Sequence, residues 1–440
     1  MVGLVGLVGC FAAGTSRADD LLALYNAALE SDPQLETAAL EKKIGRREFW
    51  DGLFAYFPRV TAQYDKKRRQ QRVISSENTV FSLGKAHYDL DQAFAELRQP
   101  VFDWEAVATA RRGKALERQA AAKFAAAQQL LILRVAEAYF DILSAEEKMR
   151  LLTAADIVTG KELSFIRERL DAGLALRSEA KDVEAQKALT ESELVDARNE
   201  VSDAFEALSE IVGYRPAQVA AFARFVPATS PEPASQEDWV RRALQNNNDL
   251  LAQQFAVDVA RYERAQIHGE NLPKLEVVGT YDYLDQEGSL FGGGSKGDDV
   301  TIGLRVSVPI FNAKGEGYQG RKQTARRDVE VQKLDQLRRR VARETKNFFR
   351  QVAGAQRKVR ALDEAVEATA ERLRESREER KAGKATTVDV LKAQRENLRT
   401  QRDLFVARID YVVNTLKLKS RAGILSERDV HYLNAFLVGG

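Results

Sequence analysis

The chain has 440 residues, 44% of them hydrophobic and 30% charged, with 27 Gly and 9 Pro. A prior of about 150 residues per domain places it near three domains, and the composition excludes a disordered or low-complexity chain. Its 67 Lys and Arg balance 65 Asp and Glu, which gives no argument for a nucleic-acid partner; one Cys and three His exclude a disulfide framework and a Cys-rich zinc site.

The first predicted element is a leader. Residues 1–14 are almost wholly apolar or small, and Ser16-Arg17-Ala18 sets small residues where signal peptidase needs them. This predicts a signal peptide over 1–18 and a mature start at Asp19. Leu7-Val8-Gly9-Cys10 offers the alternative of a lipoprotein box, so Cys10 is either lipidated or removed. Past the leader, no apolar run reaches the ~18 residues of a spanning helix.

The rest of the chain repeats. Phe57-Pro58-Arg59-Val60 matches Leu272-Pro273-Lys274-Leu275, and Asp32-Pro33-Gln34-Leu35 matches Asn247-Asn248-Asp249-Leu250. Gln99-Pro100-Val101-Phe102 matches Val308-Pro309-Ile310-Phe311. Ala172-Gly173 matches Ala382-Gly383, and Gly213 matches Gly423. The offset stays near 210 residues throughout, so the chain is an internal duplication. Repeat 1 is read as 19–213, a linker or equatorial segment as 214–237, repeat 2 as 238–423 and a C-terminal segment as 424–440.

Each repeat follows one plan. A helical lead-in (Leu21 to Trp50; Trp239 to His268) ends before a proline. A strand pair follows. Leu275, Val277, Tyr281 and Tyr283 alternate with polar neighbours, as do Ile302, Leu304, Val306 and Val308; period two predicts one apolar and one polar face. Gln286 to Asp298 reads as a long Gly-rich hairpin loop. The first copy is weaker, with Val60, Ala62 and Tyr64, then Ala93, Ala95 and Leu97. Strands of about 10 residues suffice for a barrel wall.

Long helices come next. From Trp104 to Gly173 no proline intervenes, and at 1.5 Å per residue such a helix runs roughly 100 Å. Val135, Ala138, Ile142, Ala145, Met149 and Leu152 step by three and four, a heptad seam, as do Leu194, Ala197, Val201, Ala204 and Leu208 on the return helix. Each repeat therefore carries a helical hairpin that folds back near Gly173 or Gly383. Four strands fall short of the roughly eight that close the smallest membrane barrel, and lipid does not tolerate open edges. Either the strands form a soluble sheet or several chains share one barrel; oligomerisation follows from strands and helices alike.

Aromatic residues gather where strands meet helices: Trp50, Phe54, Tyr56, Phe57, Phe102, Trp104 and Phe311. They suit an interfacial girdle or plain packing at a sheet–helix junction. The basic run Lys66-Lys67-Arg68-Arg69-Gln70-Gln71-Arg72 is expected in an outer loop or on a lumen-facing surface.

This pattern resembles the TolC family of outer-membrane export channels. The resemblance covers essentially the whole mature chain. It rests on the duplication and on local stretches: Asp19-Asp20-Leu21-Leu22-Ala23-Leu24-Tyr25, Ala138-Tyr139-Phe140, Gly383 through Val388-Asp389-Val390-Leu391-Lys392-Ala393-Gln394, and Ala422-Gly423-Ile424-Leu425 with Asp429-Val430 and Leu433-Asn434. It implies an α+β membrane protein built as a homotrimer. Four strands per chain would contribute to a shared twelve-stranded β-barrel, and the coiled-coil hairpins would form an α-barrel. The implied role is a passive exit duct for type I secretion or efflux, in the outer membrane and extending into the periplasm. A periplasmic adaptor and an inner-membrane ABC or RND-type transporter would dock on it. No cofactor and no nucleic acid are implied.

The resemblance also implies sites. The hairpin turns Ala172-Gly173-Leu174 and Ala382-Gly383-Lys384 correspond to the family's adaptor-docking tips. The periplasmic gate corresponds to Ser178 and Glu179 on one hairpin and Arg380 and Ala385 on the other. A salt bridge between Arg380 and Glu179 is expected, while Ala385 cannot make the family's second link. Asp389 and Lys392 stand where the family rings its constriction with two carboxylates; a lysine there weakens cation binding. Two other classes compete with this reading. A periplasmic coiled-coil adaptor usually has one hairpin and no whole-chain duplication. An enzyme would need a hydrolase elbow, a P-loop, a dinucleotide fingerprint or a His cluster; none is present, and His87, His268 and His431 lie far apart.

Overall fold

A computed structural model describes residues 18–74, 84–288, 293–310 and 315–437. The leader before Ala18, Cys10 and Phe311 lie outside the described residues. The elements are α1 (Leu21–Ser31), α2 (Pro33–Phe54), β1 (Arg59–Val73), β2 (Gly84–Phe102), α3 (Trp104–Asp171), α4 (Arg177–Val212), α5 (Gln236–Asn246), α6 (Asn248–Gly269), β3 (Lys274–Gln286), β4 (Ser295–Ser307), α7 (Arg321–Lys381), α8 (Thr387–Arg421) and α9 (Glu427–Asn434). A π-helical turn, Gly315–Gly320, leads into α7. The second half repeats the element order of the first: two short helices, two strands, two long helices.

Contacts divide the chain into two compact units rather than the three that length suggested. They interleave: unit 1 holds residues up to Leu40, Lys123–Leu250 and those from Leu337, and unit 2 holds Glu41–Ala122 and Leu251–Gln336. Each repeat thus contributes to both units.

Unit 2 contains one four-stranded antiparallel sheet in the order β1-β2-β3-β4. Two hairpins from opposite halves of the chain meet along β2 and β3, where Leu97 stands opposite Gly279. The strands are longer than expected. Lys296 pairs in register with Asp285 and Ser295 with Gln286, so Gln286 and Ser295 to Asp298, the two ends of the anticipated Gln286–Asp298 loop, are strand. The basic run Lys66 to Arg72 is strand, which removes the outer-loop alternative for it. Acidic residues across the ladder explain this: Arg68 donates to Asp89 at 2.8 Å and Lys66 to Asp91 at 3.4 Å. Helices lie close in this unit. A Cβ on Gly113 of α3 would stand 2.4 Å from the Glu48 carbonyl oxygen of α2, so only glycine permits that approach.

Unit 1 is helical. Its core joins Leu21 and Leu24 of α1, Val135, Tyr139, Phe140 and Ile142 of α3, Leu208 of α4, Trp239 of α5, Leu418 of α8 and Leu433 of α9. The predicted seam is seen here: Val135, Ala138, Ile142 and Ala145 are buried, as are Leu194, Ala197 and Leu208. Phe140 stacks on Phe222 with ring centroids 5.7 Å apart. The Tyr139 hydroxyl donates to the Ala220 carbonyl, which holds the 213–235 connection against α3. That connection also makes single bridges, Asp19 with Val219 and Phe222 with Leu437.

The lead-in helices are each broken where one continuous helix was expected. The breaks fall at Asp32 and Asn247, equivalent positions in the two repeats. Each side chain accepts from the backbone three residues on, at Leu35 (2.8 Å) and Leu250 (3.0 Å). This N-cap geometry starts a new helix.

Candidate functional site

The sheet separates its chemistry by face. Across the register Val60, Leu97, Gly279 and Ile302 share one row, and Ala62, Ala95, Tyr281 and Val300 another. The row between them, Thr61, Glu96, Thr280 and Thr301, points to the opposite face. The apolar face is unburied: Ile302 is 78% exposed and Leu304 73%. So many exposed aliphatic side chains on one face mark an apolar environment rather than water. The polar face carries its own ion pairs, with Glu96 held by Arg98 at 2.9 Å and by Arg305 at 3.7 Å.

Aromatic residues border the apolar rows. Tyr64 and Tyr281 are exposed on the strands, and Trp50, Phe54, Phe57 and Phe102 are exposed at the sheet–helix junction. Trp50, Phe54 and Phe57 touch one another in sequence, with centroids 6.2 and 5.4 Å apart. Their exposure in the single chain suits a girdle, while Tyr56 and Trp104 are half-buried at the junction. Both edge strands, β1 and β4, have one unpaired side in the chain.

The hairpin turns lie in unit 1 and have one geometry. Gly173 has φ +74° and Gly383 φ +75°. At the first turn Gly173 N–H donates to Leu170 and Leu174 N–H to Arg169; at the second Gly383 N–H donates to Arg380 and Lys384 N–H to Glu379. Both are Schellman ends, which need a left-handed residue at the glycine position. Ala172, Gly173, Leu174, Ala382, Gly383 and Lys384 are all exposed, available to a partner.

The expected gate residues surround these turns. Ser178 and Glu179 occupy the first turn of α4, Arg380 the last turn of α7, and Asp389 and Lys392 the start of α8. The expected bridge from Arg380 to Glu179 is not formed. Arg380 donates instead to Glu162 of α3 at 2.5 Å and lies over the Phe165 ring. Glu162 and Phe165 are one helical turn apart, so they present a carboxylate and a ring face together to the guanidinium.

Asp389 has a second task that the constriction reading missed. Its carboxylate accepts from the Thr386 hydroxyl at 2.6 Å and the Thr386 N–H at 2.9 Å, while Asp389 N–H donates to Thr386 Oγ1 at 3.2 Å. This is a capping box for α8. The Thr386 hydroxyl bond, then the Thr386 backbone bond and the Lys392 charge, hold the Asp389 carboxyl below its ordinary range. The Thr-x-x-Asp spacing was the available signal.

A groove of about 730 Å³ lies between α3, α4 and α8, lined by Lys392 with Leu151, Thr190, Leu391 and Gln394 among others. Below it Leu163, Ile166, Ala180 and Val183 form a small apolar cluster against which Leu391 packs. Among the described residues no cluster of His, Cys, Asp and Glu has metal-binding geometry. No helix among them is long and apolar enough to cross a membrane.

Known proteins share this architecture. A family model described as outer membrane efflux protein matches residues 24–214 and 239–423, once in each half of the chain. Outer membrane protein TolC of Vibrio cholerae is 29% identical over 427 residues, 96% of this chain and 94% of the relative. Proteases secretion protein PrtF of Dickeya chrysanthemi is 27% identical over 438 residues, 98% of this chain and 94% of the relative. Among solved structures, the outer membrane protein VceC of Vibrio cholerae has a TM-score of 0.79 at 19% identity, covering 92% of this chain and 96% of that one. That likeness is one of fold.

Proposed function

We propose, from the premise that the chain belongs to the outer membrane efflux protein family, that it is the exit duct of a tripartite export system. It is an outer-membrane channel protein, and the duplicated matches favour this over a periplasmic adaptor. The single observation that carries the assembly is the sheet. Four strands expose one apolar face and leave β1 and β4 open. In lipid an open edge is untenable, so β1 of one copy pairs with β4 of the next, and three copies close a twelve-stranded barrel. Repeat boundaries at 19–213 and 238–423 belong to this reading, as do the segments 214–237 and 424–440.

The exposed turns at Gly173 and Gly383 receive the hairpins of a periplasmic adaptor. That adaptor links the duct to an inner-membrane ABC or RND-type transporter. Arg380, Asp389, Lys392, Ser178 and Glu179 line the periplasmic gate. The duct does no covalent chemistry; the free energy comes from the inner-membrane partner. The name of the protease secretion relative favours polypeptide cargo, and the family description favours efflux; one conduit serves both.

The test is the mass and location of the protein as made in cells. Outer-membrane fractions should yield, in mild detergent, a species of three chains. A monomer there, or a protein found only in the soluble periplasmic fraction, would overturn the reading.

A further inference from the structure

Two exposed seams of the long hairpins carry opposite charge at matching heights. On α7 the residues Arg343, Lys346, Arg350, Ala353, Arg357 and Arg360 step by three and four, the spacing of a heptad seam. All five cations are exposed, and none forms an ion pair among the described residues. Residues Val341, Val352, Ala355 and Val359 form the buried side of the same helix, where Val359 packs with Leu404 and Ala407 of α8. Arg343 and Arg357 each follow a buried residue by two positions, about 200° around the helix. Lys346 and Arg360 follow buried Thr345 and Val359 by one position, about 100°, so the cationic seam runs beside the α8 contact and round to the far side.

The first repeat shows what this surface replaced. At the repeat offset of about 210 residues, Lys346 and Arg350 correspond to Ala136 and Phe140, both core residues. At these two positions one copy of the helix is covered within the chain and the other is bare and basic, while Arg357 and Arg360 correspond to Glu147 and Arg150, charged in both copies. Like charges at this spacing repel, so the seam calls for an acidic counterpart.

α4 supplies one. Glu193, Asp196, Glu200, Asp203, Ala207 and Glu210 step by three and four and are exposed. Glu193 and Glu200 have partners in the chain, Arg395 at 3.3 Å and Lys148 at 2.6 Å. Asp196, which with Glu193 and Glu200 borders the groove between α3, α4 and α8, and Asp203 and Glu210 form no ion pair among the described residues. Of the α8 arginines that line the neighbouring groove, Arg399 and Arg402 are engaged by Asp403. The heights agree. Arg360 precedes Gly383 by as many residues as Asp196 follows Gly173, and the same holds for Lys346 and Glu210. α7 approaches its turn while α4 leaves its own, so the two seams match in antiparallel register. Each carries a single alanine among its charges.

We propose that the partner of the α7 cationic seam is the α4 acidic seam of a second copy of this chain, and that this pairing sets the register between neighbouring protomers. The proposal rests on the trimeric duct described above. It is a heterologous contact, in which one face of each copy meets a different face of the next, and such contacts close rings.

Disulfide trapping and charge exchange test it in the whole chain. The only native cysteine is at position 10. The pair Arg360→Cys with Asp196→Cys should give disulfide-linked oligomers on oxidation, while Arg360→Cys with Arg198→Cys, on the opposite face of α4, should not. Lys346→Glu with Arg360→Glu should speed trimer dissociation at low salt roughly tenfold, and adding Asp196→Arg with Glu210→Arg should recover most of the loss. If the reversed chain fails to fold, the cysteine pair still answers. Trimers that form normally, with no cross-link and no charge effect, would overturn the proposed pairing and leave the duct standing. A wild-type chain that is monomeric in the outer membrane would overturn both.

Discussion

Arg380 in the last turn of α7 donates to Glu162 of α3 at 2.5 Å, so one ion pair ties the second long hairpin to the first. Glu162 is only 15% exposed and Arg380 31%, so this pair is better shielded than another bridge between the hairpins, Arg395 with Glu193, at 59% and 48%. A double-mutant cycle with Arg380→Ala and Glu162→Ala should give a coupling of about 1 kcal/mol in thermal unfolding. A coupling near zero would make the contact incidental and remove Arg380 from the gate.

The paired helix breaks offer a sharper stability test. Asp32 and Asn247 are both buried and both cap the following helix. Asp32 also takes a bidentate bond from Arg134, at 2.9 and 3.1 Å, whereas Asn247 donates to the Arg421 carbonyl. Arg134→Ala leaves a buried carboxylate unpaired and should cost about 3 kcal/mol. Asp32→Asn keeps the cap, as its sister does, and should cost less. The reverse order in unfolding midpoints would contradict this account.

The glycines that end the long helices should not respond alike to alanine. Gly383 needs its positive φ but has open space around it, so Gly383→Ala should cost about 1 kcal/mol. Gly423 has φ +70°, and a Cβ there would stand 2.1 Å from the Asn246 carbonyl oxygen. Gly423→Ala should therefore cost about 3 kcal/mol or more. Equal costs would mean that the close approach at Asn246 relaxes freely.

Acid should loosen the start of α8. The Thr386 hydroxyl lowers the folded-state pKa of Asp389. Its stabilising effect is therefore complete above the ordinary carboxylate value of about 4 and is lost as pH falls through the lower folded value. Asp141 and Glu146 of α3 behave oppositely, because burial raises them. Their ionisation disfavours the fold as pH rises from about 4 through their raised values, so acid relieves that strain. Amide protection factors near Val390, which remove the acid dependence of intrinsic exchange, should fall below about pH 4 in the wild type, and Asp389→Asn should flatten that response. An unchanged pH profile in Asp389→Asn would show that the cap is not responsible.

The two faces of β4 should tolerate charge differently. Ile302→Lys places an ammonium on the apolar face and should cost about 2–4 kcal/mol at mid-depth in the bilayer, lowering the yield of inserted protein. Thr301→Lys, on the polar face, should insert normally. Equal insertion of both variants would place the apolar face somewhere other than lipid.

Much of this architecture is legible in residue types because it depends on local rules. Gly173, Gly213, Gly383 and Gly423 all adopt positive φ, and their recurrence marked the helix ends. The alternation from Leu275 to Val308 marked two-faced strands. The basic run from Lys66 left an outer loop and a lumen-facing surface both open, because its strand character depends on Asp89 and Asp91, which only the ladder brings opposite. Arg380 was assigned the wrong carboxylate for a similar reason: its choice depends on the stagger of two long hairpins, which no local pattern encodes. The breaks at Asp32 and Asn247 and the cap at Asp389 were readable from N-cap spacing but were overshadowed by the longer helical pattern.

The central claim is that this chain forms a pore, and single-channel recording in planar bilayers tests it most directly. Protein extracted from outer membranes as a trimer should give discrete conductance steps, and Arg380→Ala, by releasing Glu162, should raise the conductance or the open fraction. Apolar-face variants such as Ile302→Lys should insert less often without changing the step size. A trimer that inserts but conducts in neither the wild type nor Arg380→Ala, or a protein that never inserts, would contradict the account.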